Sequence, residues 1–137
     1  MLMRGNQLPS DAESRAMLHN ALKSRLSKGN VRGILALDDD GVSLASSVAL
    51  EMKKPLFYVY TNELGRKVIS APVPELRGME LHAVANEVRD VESVASTRKL
   101  VQAVGADFKR ILVRLSPSAE VSNKLLEMGL TCDCFTP

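Results

Sequence analysis

The sequence predicts an α/β fold, a mostly parallel sheet flanked by helices. Three observations lead there. Apolar residues recur every four positions at Leu18, Leu22 and Leu26, and the period then breaks into a short continuous run, Gly33-Ile-Leu-Ala-Leu37. The same switch from helical stripe to short apolar run repeats along the chain. The connections are short, and strands that alternate with helices argue for parallel pairing.

The first helix is expected over residues 10–29. Ser10-Asp-Ala-Glu13 has the form of a capping box, and Gly29 closes the helix. The run at 33–37 suits a buried strand, and Asp38-Asp39-Asp40-Gly41 forms the turn after it, with Asp39 or Asp40 capping the next helix. Val42, Leu44, Ala45, Val48, Ala49 and Met52 make a helical stripe that Pro55 terminates. Leu56–Tyr60 reads as a second strand, rich in aromatic and β-branched residues. Residues 61–79 are polar and irregular, punctuated by Gly65, Pro72 and Pro74, with Val68-Ile69-Ser70 as a short hairpin arm. Leu81–Ala85 is a third strand, 91–104 a helix and Ile111–Leu115 a fourth strand. Ser116-Pro117 offers an N-cap followed by proline at the first helical position. That helix ends at Gly129, and Leu130–Phe135 returns as a strand.

Length and composition narrow the function classes. The 137 residues suit one domain with a core over 31–135. Hydrophobic content of 45% and charged content of 25% are ordinary for a globular protein, and the near absence of aromatics puts the core on Leu, Val, Ala, Ile and Met. The net charge of +2 calls for no polyanionic partner. Residues 1–32 hold six Lys/Arg against Asp11 and Glu13, but no base-stacking aromatic, so nucleic-acid binding is not expected. Met1–Gln7 lacks the apolar stretch of a signal peptide and no run is long enough to span a membrane, which leads to a cytoplasmic expectation. Cys132 and Cys134 are too close in an extended chain for a good disulfide and are read as small hydrophobes; no metal site is expected.

Ligands of an open parallel sheet bind beyond the carboxyl ends of the strands. Three segments lie there: Asp38–Ala45, the turn Asn86–Ser93, and the stretch after Tyr60. Asp90 precedes Ser93 by three residues and suits an N-cap that accepts from the Ser93 amide. His19 and His82 are far apart in sequence, with no evident Ser or Cys partner, and no catalytic residue is assigned.

The layout from Gly78 through Asn86–Ser93 to Gly105-Ala-Asp-Phe108 resembles the core of type I phosphoribosyltransferases, and orotate phosphoribosyltransferases most of all. Further anchors are Gly41-Val-Ser-Leu-Ala45, Lys54-Pro55-Leu56 and Glu127-Met-Gly129. The resemblance implies a strand running into two acidic residues that hold ribose hydroxyls, then a Thr/Gly-rich turn that seats the 5-phosphate of phosphoribosyl pyrophosphate. Here Ala85 and Asn86 stand at the acidic pair, and Arg89-Asp90-Val91-Glu92 replaces the cradle. It also implies a basic lid after the second strand, where this chain continues Tyr60-Thr-Asn-Glu63 without a histidine.

The resulting expectation is a catalytically degenerate phosphoribosyltransferase-like domain. It acts as a regulatory or dimerising protein, a homodimer or the partner of a true transferase, or it binds a small molecule in the old cleft. The candidate cleft residues are Asp39, Asp40, Gly41, Tyr60, Arg89, Asp90 and Ser93. No cofactor is expected. The alternative is an active phosphoribosyltransferase in which Asp38–Asp40 recruits magnesium and Arg89 takes over phosphate binding.

Overall fold

The computed structural model describes residues 7–70 and 76–136. The proline-punctuated segment 71–75 and the reading made on the first six residues lie outside them. The elements run α1 (Ala12–Ser27), β1 (Ile34–Ala36), α2 (Asp39–Met52), β2 (Leu56–Thr61), β3 (Lys67–Ile69), β4 (Glu80–Ala85), α3 (Val91–Ala103), β5 (Asp107–Val113), α4 (Ala119–Glu127) and β6 (Thr131–Cys134). The strands form one six-stranded sheet in the order β3-β2-β1-β4-β5-β6. Every pairing is parallel except the β2–β3 hairpin arm, where Val59 faces Ile69 and Tyr60 faces Val68. The expected α/β class and hairpin arm are both present.

Alternate residues of the strands feed two apolar layers. Ile34, Val84 and Leu112 point to one face, where Leu22 and Leu26 of α1 and Leu44, Ala45 and Val48 of α2 cover them. Leu35, Ala83, Ile111 and Val113 point to the other, under Val94 and Val101 of α3 and Leu125 of α4. Burial on both faces is why these strands read as apolar runs rather than alternating ones. Phe108 and the aliphatic residues around it are fully buried, so the core rests on branched side chains as the composition requires.

Helix starts differ from expectation in three places, each time because another side chain makes the capping hydrogen bond. At α1 the Asp11 carboxylate, not the Ser10 hydroxyl, accepts from the Ser14 amide at 2.8 Å. At α2 the cap is Asp38, whose Oδ1 accepts from the Gly41 amide, rather than Asp39 or Asp40. At α4 the cap is Ser118, accepting from the Val121 amide at 3.2 Å, so Ser116-Pro117 belongs to the approach. Strand β5 also begins four residues earlier than expected. Asp107 is fixed there by Arg98, whose Nε donates to its Oδ1 at 3.0 Å, and it pairs with Glu80 in register.

Between α1 and α2 the contacts form a polar ladder with constant offset. Arg15 Nη2 donates to Ser43 Oγ at 2.7 Å, His19 Nδ1 meets Ser47 Oγ at 2.8 Å, and Lys23 Nζ donates to Glu51 Oε1 at 2.5 Å. Each pair is 28 residues apart, so the two helices run parallel, one rung per turn.

Helix α2 ends on Lys53, held in the left-handed conformation at φ 56°, whose amide donates back to the Leu50 carbonyl at 3.2 Å. A side chain with a Cβ is disfavoured there, and Lys53 is exposed. Lys53→Gly is therefore expected to raise the stability by roughly 1 kcal/mol, read from urea unfolding midpoints.

Candidate functional site

Strand order fixes where a site can form. The chain leaves β1 toward β2 on one side, whereas β4 lies on the other, so the carboxyl ends of β1 and β4 flank a topological switch point. A crevice of about 350 Å³ opens there, lined by Leu37, Asp38 and Asp40 from the β1 side, and by Asn86–Asp90, Ser93, Val94 and Thr97 from the β4–α3 side.

Asp38 lies at the floor of this crevice. Its carboxylate accepts from the Gly41 amide at 2.5 Å, from the Asn86 amide at 3.1 and 3.2 Å, and from the Glu87 amide at 3.4 Å. The end of β1, the start of α2 and the end of β4 thus meet on one side chain. Burial pushes the Asp38 carboxyl above its ordinary value, against the amide hydrogen bonds that favour its ionised form.

Asn86 is buried and serves three neighbours. Beyond its amide bond to Asp38, its Nδ2 donates to Asp40 Oδ2 at 3.4 Å, and its Oδ1 accepts from Arg114 Nε at 2.6 Å. Arg114 in turn donates from Nη2 to the Gln7 carbonyl at 3.1 Å, which ties the segment before α1 to the crevice wall.

At the mouth of α3, Asp90 is the N-cap, but its Oδ1 accepts from the Glu92 amide at 2.9 Å, not from Ser93 as expected. Arg89 is exposed and forms an ion pair with Glu87. The crevice lining therefore carries the carboxylates of Asp38, Asp40, Glu87 and Asp90 against the Arg89 guanidinium.

The seven candidate residues do not share one hollow. Asp40, Arg89, Asp90 and Ser93 line the crevice. Asp39 and Tyr60 line a separate hollow of about 640 Å³ on the β2 side, with Tyr58 and Val42. Adjacent positions on the first turn of α2 diverge, which sends Asp39 and Asp40 to different sides. Gly41 lies beneath both, buried, where an added Cβ would stand 2.7 Å from the Val84 carbonyl oxygen and from Asp38 Oδ1. Asp38, Asn86 and Arg114 were not among the candidates. Asp38 had one legible signal, an acidic side chain three residues before a glycine at the start of an apolar stripe.

No model of a known protein family and no curated protein matches this sequence. Solved structures do match. Orotate phosphoribosyltransferase from Aeropyrum pernix superposes with a TM-score of 0.76 at 18% identity, over 98% of this chain and 77% of that one. The chain has the type I phosphoribosyltransferase fold. Adenine phosphoribosyltransferase from Leishmania tarentolae gives a TM-score of 0.76 at 12% identity, over 93% of this chain and 72% of that one. The adenine enzyme from Thermoanaerobacter pseudethanolicus gives 0.72 at 16%, over 91% and 81%. Identities this low carry the fold alone, and the fold is the one that the sequence resemblance implied. Ala85 is the last residue of β4 and Asn86, next in the chain, lines the crevice; these are the positions where the resemblance implies an acidic pair.

Two outcomes follow from the Asp38 geometry. Gly41→Ala forces the start of α2 away from β4 and is expected to cost about 1–3 kcal/mol in chemical denaturation. The pH dependence has a definite sign. The folded protein holds the Asp38 proton more tightly than the unfolded chain, whose value is 3.8. Its contribution to stability is therefore fully present below pH 3.8 and is lost as pH rises through the raised folded value. Urea unfolding from about pH 3 to 6 should show wild type losing stability relative to Asp38→Asn as pH rises; a gap that moves the other way overturns the assignment.

Proposed function

We propose that this chain is a phosphoribosyltransferase-like domain that does not catalyse phosphoribosyl transfer, acting as a regulatory or dimerising protein whose crevice is closed to phosphoribosyl pyrophosphate. The observation that carries this reading is the Asp38 carboxylate seated on the amides of Gly41, Asn86 and Glu87. Those amides stand at the switch point of the fold, and an internal anion already occupies them. Asp90 caps α3 in the same way, at the helix N-terminus that would otherwise favour a phosphate.

Electrostatics support the same reading. A carboxylate about 5 Å from a phosphate charge, at an effective dielectric near 20, repels it by about 3 kcal/mol. The lining carboxylates outnumber the Arg89 guanidinium, which is itself paired with Glu87. The residues that would grip ribose hydroxyls by analogy are Ala85, which has no polar side chain, and Asn86, whose side-chain oxygen is bonded to Arg114. We assign the protein to the cytoplasm and to a homodimer on the same reading. Among the described residues, no helix is long and apolar enough to cross a membrane.

Isothermal calorimetry with phosphoribosyl pyrophosphate, with and without magnesium, tests the proposal. Wild type is expected to give no saturable heat to roughly millimolar ligand. Asp90→Gly combined with Glu92→Gly is expected to gain measurable affinity, about a hundredfold over wild type. Saturable wild-type binding that Arg89→Ala abolishes would replace this reading with an active transferase.

A further inference from the structure

A second polar constellation lies outside the crevice, on the outer seam of α1 and α2. Ser47 Oγ stands 2.8 Å from His19 Nδ1, and His19 Nε2 stands 2.5 Å from Glu51 Oε2. The other oxygen of Glu51 accepts from Lys23 Nζ at 2.5 Å. A surface hollow of about 330 Å³ opens over this row, lined by Arg15, His19, Asn20, Ser43 and Ser47 among others.

The hydrogen bonds fix the proton on the imidazole. An ionised carboxylate only accepts, and the Lys23 and His19 hydrogen bonds hold the Glu51 carboxyl below its ordinary value. His19 Nε2 therefore carries a hydrogen, and in the neutral imidazole the Nδ1 lone pair faces the Ser47 hydroxyl. That is the order a general base needs: a hydroxyl on one ring nitrogen, a carboxylate on the other to orient the ring and stabilise its cation. His19 is mostly buried whereas Ser47 is exposed at the hollow, so the base is held and the nucleophile is accessible.

We propose that Ser47, His19 and Glu51 form a nucleophilic relay in which Ser47 takes acyl groups from small activated carboxylic esters. Ser47 Oγ attacks the ester carbonyl carbon and its proton passes to His19 Nδ1. The bond from that carbon to the leaving oxygen breaks, and the leaving alcohol takes the proton from His19. Ser47 is left as an acyl ester. Water then adds to the acyl carbon, giving one proton to His19; the bond to Ser47 Oγ breaks, Oγ recovers that proton, and a carboxylic acid departs. Arg15, whose Nη2 is held by Ser43, and Asn20 line the same hollow and are the donor-bearing side chains nearest to the oxyanion formed in each half.

The test uses the full chain and p-nitrophenyl acetate, following p-nitrophenolate release and locating the acetyl group by peptide mass. The acetyl group is expected on Ser47. Ser47→Ala and His19→Gln should lower the rate about a hundredfold, and Glu51→Gln roughly tenfold. Ser46→Ala, at an exposed neighbouring position, should leave it unchanged. Circular dichroism melting establishes that each variant is folded, and Glu51→Gln keeps the test valid if another variant is not. Acetyl found on Lys23 or the N-terminus but not on Ser47, or a His19→Gln rate equal to wild type, overturns the proposal.

Discussion

The Asp38 carboxylate ties three elements at one point: it follows β1, caps α2 and accepts the amides that end β4. An open parallel sheet leaves unpaired amides at its switch point and at the helix starts beside it, and each must find an acceptor. In this chain one side chain supplies several. The consequence is geometric as well as energetic. Gly41 must be a glycine because Asp38 draws the first turn of α2 against the Val84 carbonyl, with no room for a Cβ. The Asn86 side chain must be a small amide because it sits between Asp40 and Arg114 and has to donate to the first while accepting from the second. A half-satisfied network of this kind is costly in a buried setting, so its members constrain one another.

The α1–α2 layer shows the opposite economy. Helix α1 buries Leu22 and Leu26 fully, and both lie in its second half. In its first half only Leu18 packs on that core, and side-chain hydrogen bonds from Arg15 and His19 to α2 add to it. Parallel helices joined through a strand keep a fixed offset, so residues spaced by four on one meet residues spaced by four on the other. Basic residues and a histidine on α1 facing serines and a glutamate on α2 satisfy that register turn by turn. Part of the basic character of α1 is thus absorbed within the fold, through Arg15 and Lys23.

Elements whose signal is periodic were legible in the sequence. The stripe at Leu44, Ala45, Val48 and Ala49 gave α2, the aromatic and β-branched run gave β2, and the switch to apolar runs gave the parallel sheet. Element starts were less legible, because Asp11, Asp38 and Ser118 compete with equally good caps beside them and the choice depends on which oxygen reaches an amide in three dimensions. The N-terminal part of β5 was hidden because Asp107, Lys109 and Arg110 interrupt its apolar pattern, and their partners Arg98 and Asp133 are distant in sequence. The crevice was legible as a place, from the strand ends, but not as a set of residues. Only its spacing to Gly41 distinguishes Asp38 from Asp39 and Asp40 locally, and nothing local links Arg114 to Asn86 across 28 positions. The His19–Ser47 and His19–Glu51 pairs were missed for the same reason, since only the parallel packing of two helices brings them together.

Two helix N-termini face the crevice, those of α2 and α3, and both are capped by aspartate. A helix N-terminus carries roughly half a positive charge and free amides, which is what makes this fold suited to phosphates. A carboxylate cap satisfies the same amides and offsets the same partial charge. It does so at far higher effective concentration than a ligand, because it is part of the chain. An incoming phosphate would have to displace that bond and then remain beside the displaced charge. Glycine at the same positions offers the amides no side-chain acceptor, whereas aspartate caps them. The difference between an anion-binding cleft and a closed one can thus lie in a few capping residues while the sheet, the switch point and the helix directions stay the same. The fold of this chain matches solved phosphoribosyltransferases over nearly its whole length at an identity of 18% or less, and the two aspartate caps are the feature on which the proposed reading of its crevice rests.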